Sequence, residues 1–261
     1  MIDVHSHMEQ EVYDSDRDDV LSRCKKEMKA VITCDPNPDT FKKTFSIADR
    51  YKGFVFAVIG IHPEYVERFS DDDIETVIET IKANRERIVG IGETGLDYHY
   101  IEDAEMRDRQ REMFRKLVRL AGKMRMPVCV HIRNGKDSEE NDAFEHAVEV
   151  LEQESANKVH LHMFGSRNLL KGVIDNGWYI SENAIILQSK NYKKVVRDAP
   201  IDRLMVETDA PWLHPSGNTE ERNDPLGVKA VIEKVAEVKK LEFDEVIERT
   251  TENATSFYEL F

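Results

Sequence analysis

The chain reads as an α/β protein folded as a (β/α)8 TIM barrel, and three observations predict this. Eight short apolar runs alternate with longer amphipathic stretches along 261 residues. The middle runs are nearly continuous in Val, Ile and Phe, as parallel strands buried on both faces must be. The length matches the ~250 residues usual for such a barrel. A doubly wound sheet is the structural alternative, but eight alternations without a Gly-rich phosphate loop favour the barrel.

The first run, IDVHSH (2–7), alternates apolar Ile2 and Val4 with Asp3, His5 and His7. Side chains two apart on a strand share a face, so a carboxylate and two imidazoles line up together. Further runs follow at 29–34 (KAVITC), 54–60 (FVFAVIG), 88–93 (IVGIGE) and 127–132 (PVCVHI). The last three lie at 158–163 (KVHLHM), 178–183 (WYISEN) and 203–209 (RLMVETD). Between them lie helix-like segments such as 107–123, where Phe114, Leu117, Val118 and Ala121 keep the spacing of a buried stripe. Long loops are expected at 96–104 and 212–224, each after a strand's C-terminal end, where barrel enzymes build their active sites. No linker, repeat or low-complexity stretch intervenes, so residues 1–261 are expected to form a single domain.

The 37 basic residues against 51 acidic ones leave a net charge of −14. That balance argues against broad adsorption to nucleic acid or anionic lipid, though metal ions can supply positive charge locally. Three cysteines, Cys24, Cys34 and Cys129, are an odd number without framework spacing. Cys34 and Cys129 sit in apolar runs, which suits reduced core residues in a cytoplasmic protein. The longest apolar stretch, GFVFAVIGI, is too short to span a bilayer, and no signal-like segment precedes the first strand. Nothing in the chain points to an obligate protein partner.

Five of the eight runs end in metal-type side chains: His5 and His7, then Glu93, His131, His162 and Asp209. In a barrel all six project into one bowl. Four imidazoles and two carboxylates are too many for one tetrahedral ion with an open position. They suit two divalent ions ~3.5–4 Å apart sharing a carboxylate. Taken singly, each has a plain structural reading: two histidines on a solvated strand face, a core histidine, a carboxylate capping a helix. The shared placement at one end of separate strands is what distinguishes them. Asp3, His160 and Glu207, each two residues before a ligand, sit deeper on the same face and suit supporting hydrogen bonds or a structural polar layer. His99, His146 and His214 have no strand-end placement, and His146 lies on a Glu-rich helix, where a solvated position is expected.

Several stretches together resemble the TatD-related metal-dependent deoxyribonucleases, a branch of the amidohydrolase-type barrels. They are IDVHSH, GIHPE (60–64), GETGLDYHY (92–100), MPVCVHIRN (126–134), HMFGS (162–166), ETDAPWL (207–213) and RNDP (222–225), with TTENATSFYELF matching the final helix. The resemblance implies that His5 and His7 hold one ion and that Glu93 bridges two. It implies further that His131 and His162 hold the second ion while Asp209 completes the first. Members are typically Mg- or Mn-dependent nucleases, many trimming DNA from its 3′ end, and zinc is often found bound. HMFGS departs from the usual HCFSG-type order, and the acidic lead-in HPSGNTEERNDP replaces a basic loop.

The expected reaction is metal-assisted phosphodiester hydrolysis with two divalent ions (Mg, Mn or Zn), DNA ends or single strands being the substrate. Glu93 and Asp209 are the expected catalytic residues, Asp209 accepting the proton of the attacking water. His62 is expected to donate to a phosphate oxygen and Arg133 to clamp one, while Tyr98 or Trp212 in the mouth loops offers a ring to an unpaired base. For His62 the alternative is packing beneath the Pro63 turn, for Arg133 a rim ion pair, and for the aromatics loop core. The second reading is a dimetal deacylase, esterase or lactonase for a small or tRNA-linked substrate, since fold does not fix function. A third, a non-catalytic nucleic-acid-binding protein with a vestigial site, fits poorly with a complete ligand set and the negative charge.

Overall fold

The computed structural model describes residues 1–136 and 142–261. Eight strands run β1 (Ile2–Ser6), β2 (Ala30–Asp35), β3 (Val55–Ile59), β4 (Gly90–Asp97), β5 (Val128–Arg133), β6 (Val159–Leu161), β7 (Tyr179–Glu182) and β8 (Leu204–Val206). Each pairs in parallel with the next, in sequence order. The ring closes through a parallel bridge between Ser6 and Ala210, just beyond β8. The eight apolar runs thus become the eight strands of the expected barrel.

The core has two layers, sorted by the strand period except in β1. There Asp3 pairs with Val31 of the outer layer, and a register shift before Ser6 then brings His5 inside after Val4. Asp3 therefore does not share a face with His5 and His7 as expected. Ile2 and Val4 of β1, Ala30, Ile32 and Cys34 of β2, and Cys129 and Met205 from across the ring share one inner cluster. Alternate residues such as Val31, Val55, Ala57, Ile59 and Val130 belong to the outer cluster, against the helices. Ala254, Phe257 and Tyr258 of the helix Phe243–Tyr258 join the inner cluster. All three cysteines are free and buried, as expected of core residues.

The helices follow local rules. In Asp71–Ala83, Ser70 and Asp73 make a reciprocal capping box, and Ile74, Val77, Ile78 and Ile81 form the buried stripe. The segment expected at 107–123 is the helix Ala104–Met124, one turn longer at its start because the Asp103 side chain accepts from Met106 N at 3.0 Å. Among the described residues no helix is long and apolar enough to cross a membrane.

Two strand ends differ from expectation, and both matter for the site. β4 continues to Asp97 rather than stopping at Glu93, with a register shift against β5 between Ile91 and Thr94. Glycines make this possible: a Cβ on Gly92 would lie 2.4 Å from the Cys129 carbonyl oxygen, and one on Gly95 1.9 Å from that of His131. β8 is shorter than expected, ending at Val206, so Glu207, Thr208 and Asp209 lie past the regular strand.

Candidate metal centre

The strand ends bring all six expected ligands into one buried cluster. On its first side, His5 Nε2 and His7 Nε2 are 3.1 Å apart. Asp209 Oδ1 lies 3.6 Å from His5 Nε2 and 3.3 Å from His7 Nε2, while Glu93 Oε2 lies 3.5 and 3.8 Å from the same two atoms. Tetrahedral bonds of ~2.1 Å space their ligand atoms about 3.4 Å apart, so His5, His7 and Glu93 are spaced to share one divalent ion, with Asp209 within reach of both imidazoles.

The other oxygen of the same carboxylate faces the second side. Glu93 Oε1 is 2.8 Å from His131 Nδ1 and 3.1 Å from His162 Nε2, and these two nitrogens are 3.4 Å apart. His62 Nε2 approaches Glu93 Oε1 to 3.5 Å. Glu93 therefore presents one oxygen to each side, and it occupies the middle of β4 rather than its end.

Backbone geometry aims Asp209. At φ 57° it turns the chain after β8, its N–H bonds His5 O at 2.9 Å, and its carbonyl accepts from Trp212 N at 3.0 Å. Asp3 accepts from Thr208 N, Thr208 Oγ1 and His5 N, which fastens the backbone of this turn to β1 rather than touching a ligand ring. Burial pushes the Asp3 carboxyl up to about 8.

Behind the second side stands a layer of carboxylates. His131 Nε2 bonds Asp97 Oδ2 at 2.9 Å, and His162 Nδ1 lies 3.3 Å from Glu207 Oε1. Asn183 Nδ2 and Ser181 Oγ both donate to Glu207, and Ser181 in turn meets His160, whose Nδ1 lies 2.6 Å from the Tyr258 hydroxyl. Glu207 thus gives the direct support expected of it, whereas His160 acts two contacts away. Burial would raise the Glu93 carboxyl, yet His162 and His62 hold it well below the usual carboxylate range. Against the same burial, His131 lowers Asp97 and His162 lowers Glu207. Ionised carboxylates interleaved with imidazoles are the donor set of a divalent-metal site.

Asp97 is the residue sequence reasoning missed. It lies four after Glu93, on the same face of a strand, but became legible only once β4 was known to continue. Glu9 was missed as well: it accepts from Thr33 Oγ1, and its Oε1 lies 3.6 Å from His7 Nδ1.

The substrate contacts divide. His62 lies at the bowl, where its Nδ1 accepts from Glu64 N and its ring centroid is 4.4 Å from that of His131. Arg133 is half-buried, its guanidinium 5.1 Å from the Tyr100 ring centre. Tyr98 does not fit the stacking role expected for it. Its ring is 1% exposed, its hydroxyl accepts from Arg111 at 2.8 Å and lies 3.0 Å from His146 Nδ1, and Arg107 covers its face at 4.4 Å. The same contact corrects the solvated position expected for His146, which is half-buried. Trp212 is the mouth aromatic that faces outward: it is 49% exposed, and its ring lies 4.9 Å edge-on from His7. His99 and His214 stand apart from the cluster, His214 being paired with Ser216 and Glu221.

Comparison with known proteins follows the same lines. The profile of the family described as TatD related DNase matches residues 2–259. A Bacillus subtilis protein, YabD, described as an uncharacterised metal-dependent hydrolase, is 33% identical over all of this chain and 99% of its own length. The human deoxyribonuclease TATDN3 is 30% identical over 99% of this chain and 94% of its own. Among solved structures, the Escherichia coli TatD homologue YJJV superposes with a TM-score of 0.88 at 21% identity, covering 100% of this chain and 98% of that one.

Proposed function

The chain belongs to the TatD related DNase family, and from that premise we propose a metal-dependent hydrolase that cleaves phosphodiester bonds at DNA ends. The observation that carries the reading is the split Glu93 carboxylate, one oxygen toward His5 and His7, the other toward His131 and His162. It supports two divalent ions, one held by His5, His7, Asp209 and Glu93, the other by Glu93, His131 and His162. His-rich donors with carboxylates suit Zn and Mn and accommodate Mg less readily. Ions bound there would acidify an attacking water and offset the charge that builds on the phosphoryl oxygens.

The remaining roles belong to the chain. Asp209, whose side chain is 16% exposed at the mouth, is placed to accept the water's proton. Asp97 and Glu207 hold the His131 and His162 rings in orientation. His62 can turn Nε2 toward a phosphate oxygen, and Arg133, at the end of β5, can clamp another. Such a site draws phosphate inward although the protein as a whole carries −14.

The test is to incubate metal-reconstituted protein with 3′- and 5′-labelled single- and double-stranded DNA, alongside a panel of esters and lactones. Release of mononucleotides from the 3′ end, lost in Glu93→Gln and Asp209→Asn, is the expected outcome. Ester or lactone turnover with intact DNA would replace this reading with the deacylase, esterase or lactonase one. Metal analysis at saturation giving fewer than two ions per chain would end the dinuclear assignment.

A further inference from the structure

A groove of about 640 Å³ opens beside the first side of the metal centre, running between the segment after β8 and the turn after β7. Val12, Ile185, Pro211, Trp212 and Leu213 give it an apolar wall. Trp212 leads from one to the other: it sits three residues after Asp209, meets His7 with its ring, and leaves half its surface open. A half-exposed tryptophan on the wall of a groove beside the candidate metal centre offers a face to a planar ligand.

Charge says which part of a ligand enters. Arg222 is the one cation among the described lining residues, and it is already spent: its guanidinium makes two bonds to Asp16, at 2.9 and 2.6 Å, and a third to Val12 O. Glu220 and Glu221 line the same groove, so a phosphate would meet net negative charge. What remains is chiefly a tryptophan face, the amides of Gln10, Gln188 and Asn218, the His214 ring and carboxylate acceptors. That set matches a neutral planar ring with hydrogen-bonding edges and exocyclic amines.

We propose that this groove is the subsite for the unpaired terminal nucleobase of the substrate, stacked on Trp212 while its phosphate lies at the metal centre. The proposal rests on the phosphodiesterase reading above and adds what that reading leaves open. It makes the enzyme selective for frayed or single-stranded ends, because a base must leave its complement before it can lie in the groove. It also divides the substrate: the phosphate is recognised at the bowl, and the base on the side that repels phosphate.

Trp178, the second tryptophan, is 1% exposed, so Trp178→Phe leaves an emission signal from Trp212 alone. In that background the reconstituted protein is titrated with dAMP and with deoxyribose 5-phosphate, which share the phosphate and sugar and differ in the base. Saturable quenching by dAMP is expected, with affinity about tenfold above that of the sugar phosphate, in line with the contribution of one base–aromatic stack. In the Trp178-containing enzyme, Trp212→Ala should erase that preference and raise KM on single-stranded DNA about tenfold with a much smaller change in kcat, and Trp212→Phe should restore both. Equal affinities for dAMP and deoxyribose 5-phosphate, or an unchanged KM in Trp212→Ala while DNA is still cut, would overturn the subsite and leave the nuclease reading standing. Base-dependent binding in an enzyme that cuts no DNA would uphold the subsite and remove the phosphodiesterase reading instead.

Discussion

The two sides of the ligand cluster are built to different standards. On the β5–β6 side, each histidine is backed by a buried carboxylate, Asp97 behind His131 and Glu207 behind His162. On the β1 side, His5 Nδ1 faces the Cys129 thiol at 3.4 Å, and His7 Nδ1 is buried without a hydrogen-bond partner among the described residues, Glu9 standing 3.6 Å away. A carboxylate partner fixes the ring and makes it a stronger donor, whereas a thiol does so weakly. The β5–β6 side of the proposed centre would therefore hold an ion more firmly and the β1 side exchange it more readily, and that exchangeable side carries Asp209, the proposed proton acceptor.

The largest effect should come from removing what the halves share. Glu93→Gln is expected to reduce turnover by more than about 100-fold and lower ion stoichiometry on both sides, exceeding the 10–100-fold loss usual for an outer partner. Preserved binding of one ion at full affinity would break the picture of a common bridge. Asp97→Asn comes next: a loss of about 10–100-fold in affinity for one of two ions, read by competition with a chelator, the other ion unaffected. Smallest is Cys129→Ser, which keeps a hydroxyl near His5 and should change ion affinity by less than about threefold. If Cys129→Ser weakened binding as much as Asp97→Asn, the asymmetry between the two sides would be lost.

Most of the barrel was legible because strands buried on both faces advertise themselves as unbroken Val and Ile runs. The six expected ligands stood out for a related reason: histidine and carboxylate are out of place there. The errors fall where tertiary contact decides. Nothing local shows that GETGLD continues as strand past its ligand, since two glycines in six residues argue for a turn. The close approach of β4 to β5 is what demands them, and with it comes Asp97. Tyr98 and Trp212 looked equivalent as loop aromatics. Arg107 and Arg111 on the helix Ala104–Met124 hold one inward, while Trp212 stays half exposed. The loose backing of His7 had no signal, because the sequence shows Glu9 two residues on but not its distance from the ring.

The seam that closes the barrel gives the exchangeable side one more property. β1 and the segment after β8 are joined by the Ser6–Ala210 bridge and by two backbone bonds, Asp209 N to His5 O and His7 N to Ala210 O. Every atom in those two bonds belongs to a proposed ligand or to its neighbour. A ring of strands breathes first where its ladder is shortest, and amide protons exchange with solvent through such openings. Here the clasp of the ring and the grip on an ion are the same few residues. An ion held there would also button the sheet, and its departure would be written in the exchange of two particular amide protons, those of His7 and Asp209.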